Sequence, residues 1–531
     1  MCYSVIKYKS VFLLVFATFL FVIEPACAQV STAPKAGWEP EDAAEHFKHT
    51  NYQMALPIYK ELLKREPKNI DFNYRAAICY LQTNLNKALA VPHLELITKI
   101  PGAKLENDVW FQLGRAYQYA LRFDDAVKAY EKFKESAKGK DIQKAERQIE
   151  TCHNGQQLVK FPVNVTFENA GSEVNTTFPD YYPLVTKDES QLVFTTRRKE
   201  AGGAGVEFDG YYPSDIYSSG VKDGKWSKAT ALPKYINTRY DEQAVGMSSD
   251  GKQLIVYLDH IDSFGNIYVS KFNKDKASYS RCIRLDENVN EGLERTGSIS
   301  PDGEIIFFAS DRKEGLGMTD LYMCKKLPNG KWAKAQSLGP NINTPYKEDF
   351  PFLAEDGKTF YFSSEGHSSM GDYDLFKAVW DPEANTWSKP VNLGYPVNTP
   401  EENRCISFTD NNRVAYVSAL RPGGYGDLDI YRVLFNESDQ RFAVFSGFIF
   451  TSDSLKADLN VIITATDVKT KIEFTFVPAK HNGRYVMALT PGTYALTIEA
   501  PGYKEYVDAV IVYDMGSFQP ETAKNYTLVR Q

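Results

Sequence analysis

Near the end of its middle region the chain twice sets two aspartates two positions apart beside glycine and aromatic residues. These are Asp427 and Asp429 in GGYGDLDIY (423–431) and Asp372 and Asp374 in MGDYDLF (370–376). Paired carboxylates are the raw material of calcium sites and of glycoside hydrolysis. On a strand, acids at this spacing need not converge on one ion, and no twelve-residue calcium loop accompanies them. Hydrolysis needs one pair facing one scissile bond, whereas these acids recur along the chain and mark no unique pair. They are expected to be structural. The glycine run Ala201-Gly202-Gly203-Ala204-Gly205 lacks the strand, turn and helix of a nucleotide loop. His46, His49, His93 and the Cys152-His153 pair make no metal set. No catalytic residue, metal ligand or cofactor is expected.

The opening phrase is one of a series. Asp429-Ile430-Tyr431 is preceded by Asp374-Leu375-Phe376, Asp320-Leu321-Tyr322, Asn266-Ile267-Tyr268 and Asp215-Ile216-Tyr217, at steps of 51 to 55 residues. Gly265, Gly317, Gly371 and Gly426 lie just before the later four. Before each copy runs a turn and an alternating strand, as in SPDGEIIFFASDR, with turn acids Asp188, Asp250, Asp302, Asp356 and Asp410. After three copies comes a tryptophan segment carrying Trp226, Trp332 or Trp387, expected at seams between units. Four short strands cannot bury both faces alone, and radial stacking of such units gives a β-propeller. The last unit lacks a tryptophan strand. The segment before the first unit carries Val174-Asn175-Thr176, matching Ile236-Asn237-Thr238 and Val397-Asn398-Thr399, and is expected to complete that last unit and close the ring. Five copies favour five blades, with a degenerate sixth left open. Glu200–Pro213 is an insertion in the first unit. Its Tyr211 and Tyr212 are candidates for an exposed protein-contact loop, against a passive insertion.

From Pro40 to about Leu158 the apolar spacing is helical, and Ala55, Ala88 and Ala126 recur at close to the ~34-residue period of tetratricopeptide helix pairs. Tyr59, Leu63, Leu96, Tyr130 and Phe133 are suited to fill the seams, and Gly114 to permit close packing. A short solenoid of this kind is expected to bind another polypeptide. After Phe442 the pattern changes to short alternating strands around Val461, Ile463, Phe474, Tyr485 and Val486.

At 531 residues with 43% apolar and 13% aromatic content, the chain is expected to fold as several domains rather than remain disordered. A net charge of −7 with no basic stripe argues against nucleic-acid binding. At the N-terminus, Lys7 and Lys9 precede an apolar run from Val11 to Ile23, and Ala26-Cys27-Ala28 suits cleavage, so 1–28 reads as an export signal. Lipidation at Cys27 is the alternative, with Glu24 fitting it poorly. Cys79, Cys152, Cys282, Cys324 and Cys405 resemble neither a disulfide framework nor a zinc site.

The middle stretches SPDGEIIFFASDR and GMTDLYM resemble WD40-like PD40 repeats, found also in the propeller of TolB. GRYVMALTPGTYALTIEAPGYKEY resembles the carboxypeptidase regulatory-like, transthyretin-like β-sandwich, an accessory domain for which no peptidase activity is implied. The fold expected is multidomain α + β. It comprises a signal peptide (1–28), a tetratricopeptide α-solenoid (29–158), a PD40 β-propeller (159–438) and a regulatory-like sandwich (439–531).

That order resembles the PorE-like, OmpA-family periplasmic proteins of Bacteroidota associated with type IX secretion. The resemblance implies a non-enzymatic scaffold at the periplasmic side of the outer membrane, with envelope proteins as partners. The family's C-terminal OmpA-like, peptidoglycan-binding domain finds no residues here, so direct wall binding is not expected of this chain. The alternatives are a secreted carbohydrate- or peptide-processing propeller enzyme and a calcium-dependent carbohydrate-binding protein.

Overall fold

Seven α-helices form the N-terminal region: α1 (Pro40–Lys48), α2 (Tyr52–Arg65), α3 (Ile70–Leu81), α4 (Ala90–Thr98), α5 (Asp108–Tyr119), α6 (Phe123–Lys134) and α7 (Lys140–Lys160). The computed structural model describes residues 38–199, 205–259, 265–409, 412–436, 443–452, 460–480, 482–513 and 521–531. The export signal with Cys27, residues 201–204 of the glycine run and the turn acid Asp410 lie outside them. Asn51 and Asn69 start α2 and α3 by accepting the backbone N–H groups of Met54 and Phe72, each at 3.1 Å. Each helix packs on the next, giving a solenoid-like row. Ala55 and Ala126 are fully buried at helix contacts, as are Tyr59 and Tyr130. Ala88 departs from this alignment. It sits half-buried in the 3-10 turn Lys87–Leu89, and Ala90 takes the buried place. Pro92 lies in the first turn of α4, where its missing N–H costs no helical bond, so the helix begins at Ala90. At Gly114 a Cβ would lie 2.5 Å from the Tyr130 ring, which is why α5 and α6 can approach so closely.

Five antiparallel sheets follow. Their third strands are Asp215–Lys222, Asn266–Asn273, Asp320–Lys325, Asp374–Asp381 and Asp429–Phe435, each starting on the first residue of the repeated triplet. The hairpins before them are built alike. The Oδ1 atoms of Asp188, Asp250, Asp302 and Asp356 each accept the backbone N–H two residues on, at 2.9–3.0 Å. The first strands, Asp180–Val185, Asp241–Met247, Glu294–Ile299, Glu348–Leu353 and Ile406–Phe408, contact one another in cyclic order, and the fifth returns to the first. The fifth sheet takes its outer strand from Val165–Asn169, which pairs antiparallel with Asp429–Phe435. The segment ahead of the first sheet thus closes the ring.

One asparagine per sheet ties each third strand to the segment leading into the next sheet. Asn237 donates to the carbonyl of Ile216 at 2.8 Å and accepts its N–H at 3.0 Å. Asn290 does the same to Ile267, Asn343 to Leu321 and Asn398 to Leu375. Asn175 does it to Ile430, across the closure. Five positions beyond four of these asparagines, an acid or an asparagine anchors the following strand. Asp180, Glu242 and Glu348 accept the backbone N–H of Thr176, Thr238 and Thr344, and Asn403 does so for Thr399. The glycines ahead of the triplets mark close approach of the same two segments. A Cβ on Gly317 or Gly371 would lie 2.3 Å from a backbone oxygen of Thr344 or Pro400. Between sheets the seams are apolar. Trp332 shares a buried cluster with Val245 and Ile255 of the preceding sheet, Trp387 with Phe307 and Leu321, and Trp226 meets Tyr416 edge-on at 5.9 Å.

The C-terminal region comprises two four-stranded sheets sharing one core. Arg484–Leu489 shows the period of two, with Tyr485, Met487 and Leu489 buried and Val486 exposed. Among the described residues no helix is long and apolar enough to cross a membrane.

Asn343→Ala would leave the buried N–H of Leu321 without its acceptor, while the Leu321 carbonyl keeps the Leu338 N–H at 3.0 Å. The expected loss of stability is about 1–3 kcal/mol, read as a lower urea midpoint with the native far-ultraviolet circular dichroism retained before the transition.

Candidate functional site

The two acid pairs divide their work. The inner acids hold their own sheets: Asp374 Oδ2 accepts Met370 N–H at 2.9 Å and Asn392 Nδ2 at 2.7 Å, and Asp429 Oδ2 accepts Tyr425 N–H at 2.8 Å and Asn169 Nδ2 at 2.9 Å. The outer acids reach beyond their sheets to tyrosines. Asp372 accepts the hydroxyl of Tyr119 of α5 at 2.7 Å, and Asp427 that of Tyr211 at 2.9 Å. Among the described residues no cluster of three or more His, Cys, Asp or Glu side chains is arranged to hold a metal.

Tyr211 is half-buried, and the loop carrying it is organised by Arg197. That guanidinium bonds Asp209 at 2.7 Å, Glu207 at 2.6 Å and the carbonyl of Tyr212 at 2.6 Å, and lies over the Tyr211 ring at 4.8 Å. Tyr212, also half-buried, meets Phe178 edge-on at 5.8 Å. Gly210, with φ +92°, passes so close to the cap of α2 that a Cβ would sit 2.8 Å from Asn51 Oδ1. The insertion therefore bridges the first sheet, the fifth sheet and the helical region.

A second set of bonds fixes the helices on the fourth sheet. Met370, fully buried, inserts into the cluster formed by Phe111, Phe123, Tyr130 and Phe133. Its carbonyl accepts Gln118 Nε2 at 2.9 Å, and Gln118 Oε1 accepts the Tyr130 hydroxyl at 2.9 Å. Arg147 of α7 donates to the carbonyls of Glu365 and His367 and to Ser369 Oγ, at 2.6, 3.3 and 3.0 Å. Asn154 adds a bond to the Ser369 carbonyl at 2.9 Å, and Lys87 pairs with Glu401. None of these residues belongs to a repeat signature. The only sequence cue was that Met370 stands as an apolar residue in an otherwise polar turn, SSMGD.

Between the two bodies lies a cavity of about 520 Å³, with Lys87, Arg115 and Tyr119 on the helical wall and Tyr181, Arg404 and Arg421 among the ring residues. Its size suits a small ligand or a chain end. Its lining acids are engaged: Glu401 with Lys87, Glu402 with Arg404 at 2.8 Å and Asp372 with Tyr119. Burial pushes Glu401 up even beside Lys87. Burial likewise lifts Asp427, bonded to the lining residues Tyr211 and Leu428, to about 6, against the pull of the Leu428 N–H and the Tyr211 hydroxyl. The lining thiol, Cys405, is raised by burial and is inert as a nucleophile. Arg421 differs from the other cations: its Nη2 donates to the Pro396 carbonyl at 2.7 Å, and among the described residues its Nε has no acceptor and no carboxylate pairs with it.

No protein-family model matches the chain, and no curated protein matches it. Among solved structures, a protein assigned as TolB from Agrobacterium tumefaciens aligns at 16% identity over 52% of this chain and 98% of its own, with a TM-score of 0.29. An endo-arabinase from Bacteroides thetaiotaomicron aligns at 11% identity over 49% and 95%, with a TM-score of 0.31. A Leishmania major protein aligns at 14% identity over 52% and 92%, with a TM-score of 0.32.

The position of Asp427 gives a pH signature. A carboxyl whose folded value is raised favours folding in its protonated form, so its contribution to stability declines as pH rises from about 4 through about 6. Asp427→Asn keeps an acceptor for Tyr211 but cannot ionise. Urea unfolding at pH 4.5 and 7.5 should show the variant gaining on the wild type at the higher pH by about 2 kcal/mol. A gain at the lower pH would reverse the assignment.

Proposed function

We propose that the chain is a non-enzymatic scaffold of a bacterial cell envelope. In this reading the helices are a tetratricopeptide-type solenoid, the five-sheet ring is a PD40-type propeller, and the two C-terminal sheets are a transthyretin-like sandwich. The chain would work in the periplasm at the outer membrane, organising envelope proteins as expected of the PorE-like, type IX secretion-associated family.

The observation that carries this reading is the junction between helices and ring. The acids at the ring's mouth that a hydrolase would need free are spent on Tyr119, Lys87 and Arg404, and the helices are held in one orientation by bonds to backbone carbonyls. An assembly held this way suits the presentation of several surfaces at fixed separation, which raises the effective concentration of weakly bound partners. Exposed apolar side chains include Phe448 and Phe450 on the central strand Ala443–Thr451 of one C-terminal sheet and Phe208 on the insertion.

A second reading, a carbohydrate- or peptide-processing enzyme, is favoured by one observation. The cavity is ligand-sized, and burial lifts Asp427, which is bonded to the lining Tyr211, to about 6, in the range of general acid–base use.

Photo-crosslinking amino acids placed at Phe208, Tyr425, Phe450 and Val507, all exposed, separate the two readings. In intact cells the scaffold should yield discrete adducts with envelope proteins from at least two of these regions. Absence of adducts at every position, together with turnover of a glycan or peptide by the purified chain that Asp427→Asn abolishes, would establish the enzyme instead.

A further inference from the structure

Five cations line the cavity between helices and ring: Lys87, Arg115, Arg197, Arg404 and Arg421. Four are balanced. Lys87 pairs with Glu401, Arg404 with Glu402, and Arg197 with Glu207 and Asp209. Arg115 bonds the Tyr119 hydroxyl at 3.2 Å, whose proton is given to Asp372. Among the described residues no carboxylate contacts Arg421, directly or through a shared hydroxyl. Its guanidinium is stacked on Phe167, 3.2 Å from the ring centroid, and anchored by one bond to the Pro396 carbonyl.

Arg421 is half-buried and its Nε is fully buried without an acceptor among the described residues; withdrawing part of a guanidinium from water without a counter-charge is costly. Burial pulls Arg421 down to about 10, in keeping with the missing counter-charge. The stacking and the carbonyl bond fix the plane of the fork, so little rotamer freedom remains to be lost when an anion arrives. The same cavity is lined by the half-buried Tyr181, Tyr395 and Leu420, and by Leu375, Val397 and Val417 of the packed core that Phe167 joins.

We propose that this cavity is a binding site for a carboxylate carried on an apolar or aromatic body, with Arg421 receiving the carboxylate and the half-buried Tyr181, Tyr395 and Leu420 receiving the body. Arg115 and Tyr119 form the helical side of the site, so it exists only while helices and ring are joined. A carboxylate rather than a bare inorganic anion is favoured because one unpaired guanidinium is set against an apolar wall. A phosphate dianion would meet Glu401, Glu402 and Asp372 in the same space. A free organic acid and the carboxyl end of a peptide share this chemistry. The site does not depend on the scaffold reading: a scaffold could use it to hold a partner's chain end, and an enzyme to hold a substrate.

The test uses the full chain and four probes: N-acetyl-phenylalanine, its uncharged amide, a pentapeptide ending in phenylalanine with a free carboxyl, and inorganic phosphate. Saturation-transfer NMR and calorimetry should show the acid binding about tenfold or more tightly than the amide. Arg421→Gln should remove that preference, and Arg421→Lys, which keeps charge but not the fork, should restore part of it. Preferential binding of the pentapeptide would identify a chain end as the source, and preferential binding of the small acid a free metabolite. Equal affinity for acid and amide, binding of phosphate alone, no saturable binding by either carboxylate probe, or an unchanged preference in Arg421→Gln would each overturn the proposal. Should Arg421→Gln fail to reach the wild-type unfolding midpoint, the acid–amide comparison on the wild type and Arg421→Lys still decide it.

Discussion

Closure of the five-sheet ring by a segment from its far end is the constraint on which the remaining structure depends. Val165–Asn169 is hydrogen-bonded along its whole length to Asp429–Phe435, and Asn175 then holds Ile430 as its counterparts hold the other third strands. Because α7 ends at Lys160, only a few residues separate the last helix from that closing strand. One of them is already tied down, with the Val163 N–H donating to the Tyr395 carbonyl at 2.7 Å. So short a tether delivers the helical region to the seam between the fourth and fifth sheets. It places Arg147 and Asn154 where they can reach the backbone of 365–369.

The repeat was legible because every copy answers the same backbone demand. A third strand leaving its sheet exposes an N–H and a C=O at one point, and a primary amide is the side chain that satisfies both at once. That demand puts asparagine at 175, 237, 290, 343 and 398, and an acid or amide a few positions on, so the period shows without any structural knowledge. The turn acids and the tryptophans follow the same logic for hairpins and seams. The sequence alignment erred at Ala88, where a 3-10 turn replaces the first turn of a helix and shifts the buried small residue to Ala90.

The junction was not legible, for a corresponding reason. Gln118, Arg147 and Met370 each meet a demand that arises once, so no second copy exists to reveal them. Tyr211 stood out as part of an insertion, yet its direction is set by Arg197, Asp209 and Asp427, from three separate stretches of chain. Insertions advertise that something differs from the repeat. They do not say whether the added residues face outward or close a gap against a neighbouring body.

The seams and the mouth of the ring obey different physics, and this explains where unsatisfied chemistry can accumulate. At the seams identical apolar strands stack, and burial of their side chains is favourable wherever shapes fit. At the mouth the strands end, so carbonyls and N–H groups need partners there; Asp374 and Asp429 are bonded within their own sheets, and the remaining groups are capped by whatever covers them. The helices do so with side chains of fixed geometry, Gln118 and Arg147 onto carbonyls and Tyr119 onto a carboxylate. A polar cover of this kind contributes less net stability than an apolar seam of equal area, but it admits only one docking orientation. Where the cover leaves a gap, charges brought in by both bodies meet in one cavity, and their sum need not vanish. Arg421 is the cation there with no carboxylate contact among the described residues, held in place by Phe167, a side chain of the strand that closes the ring.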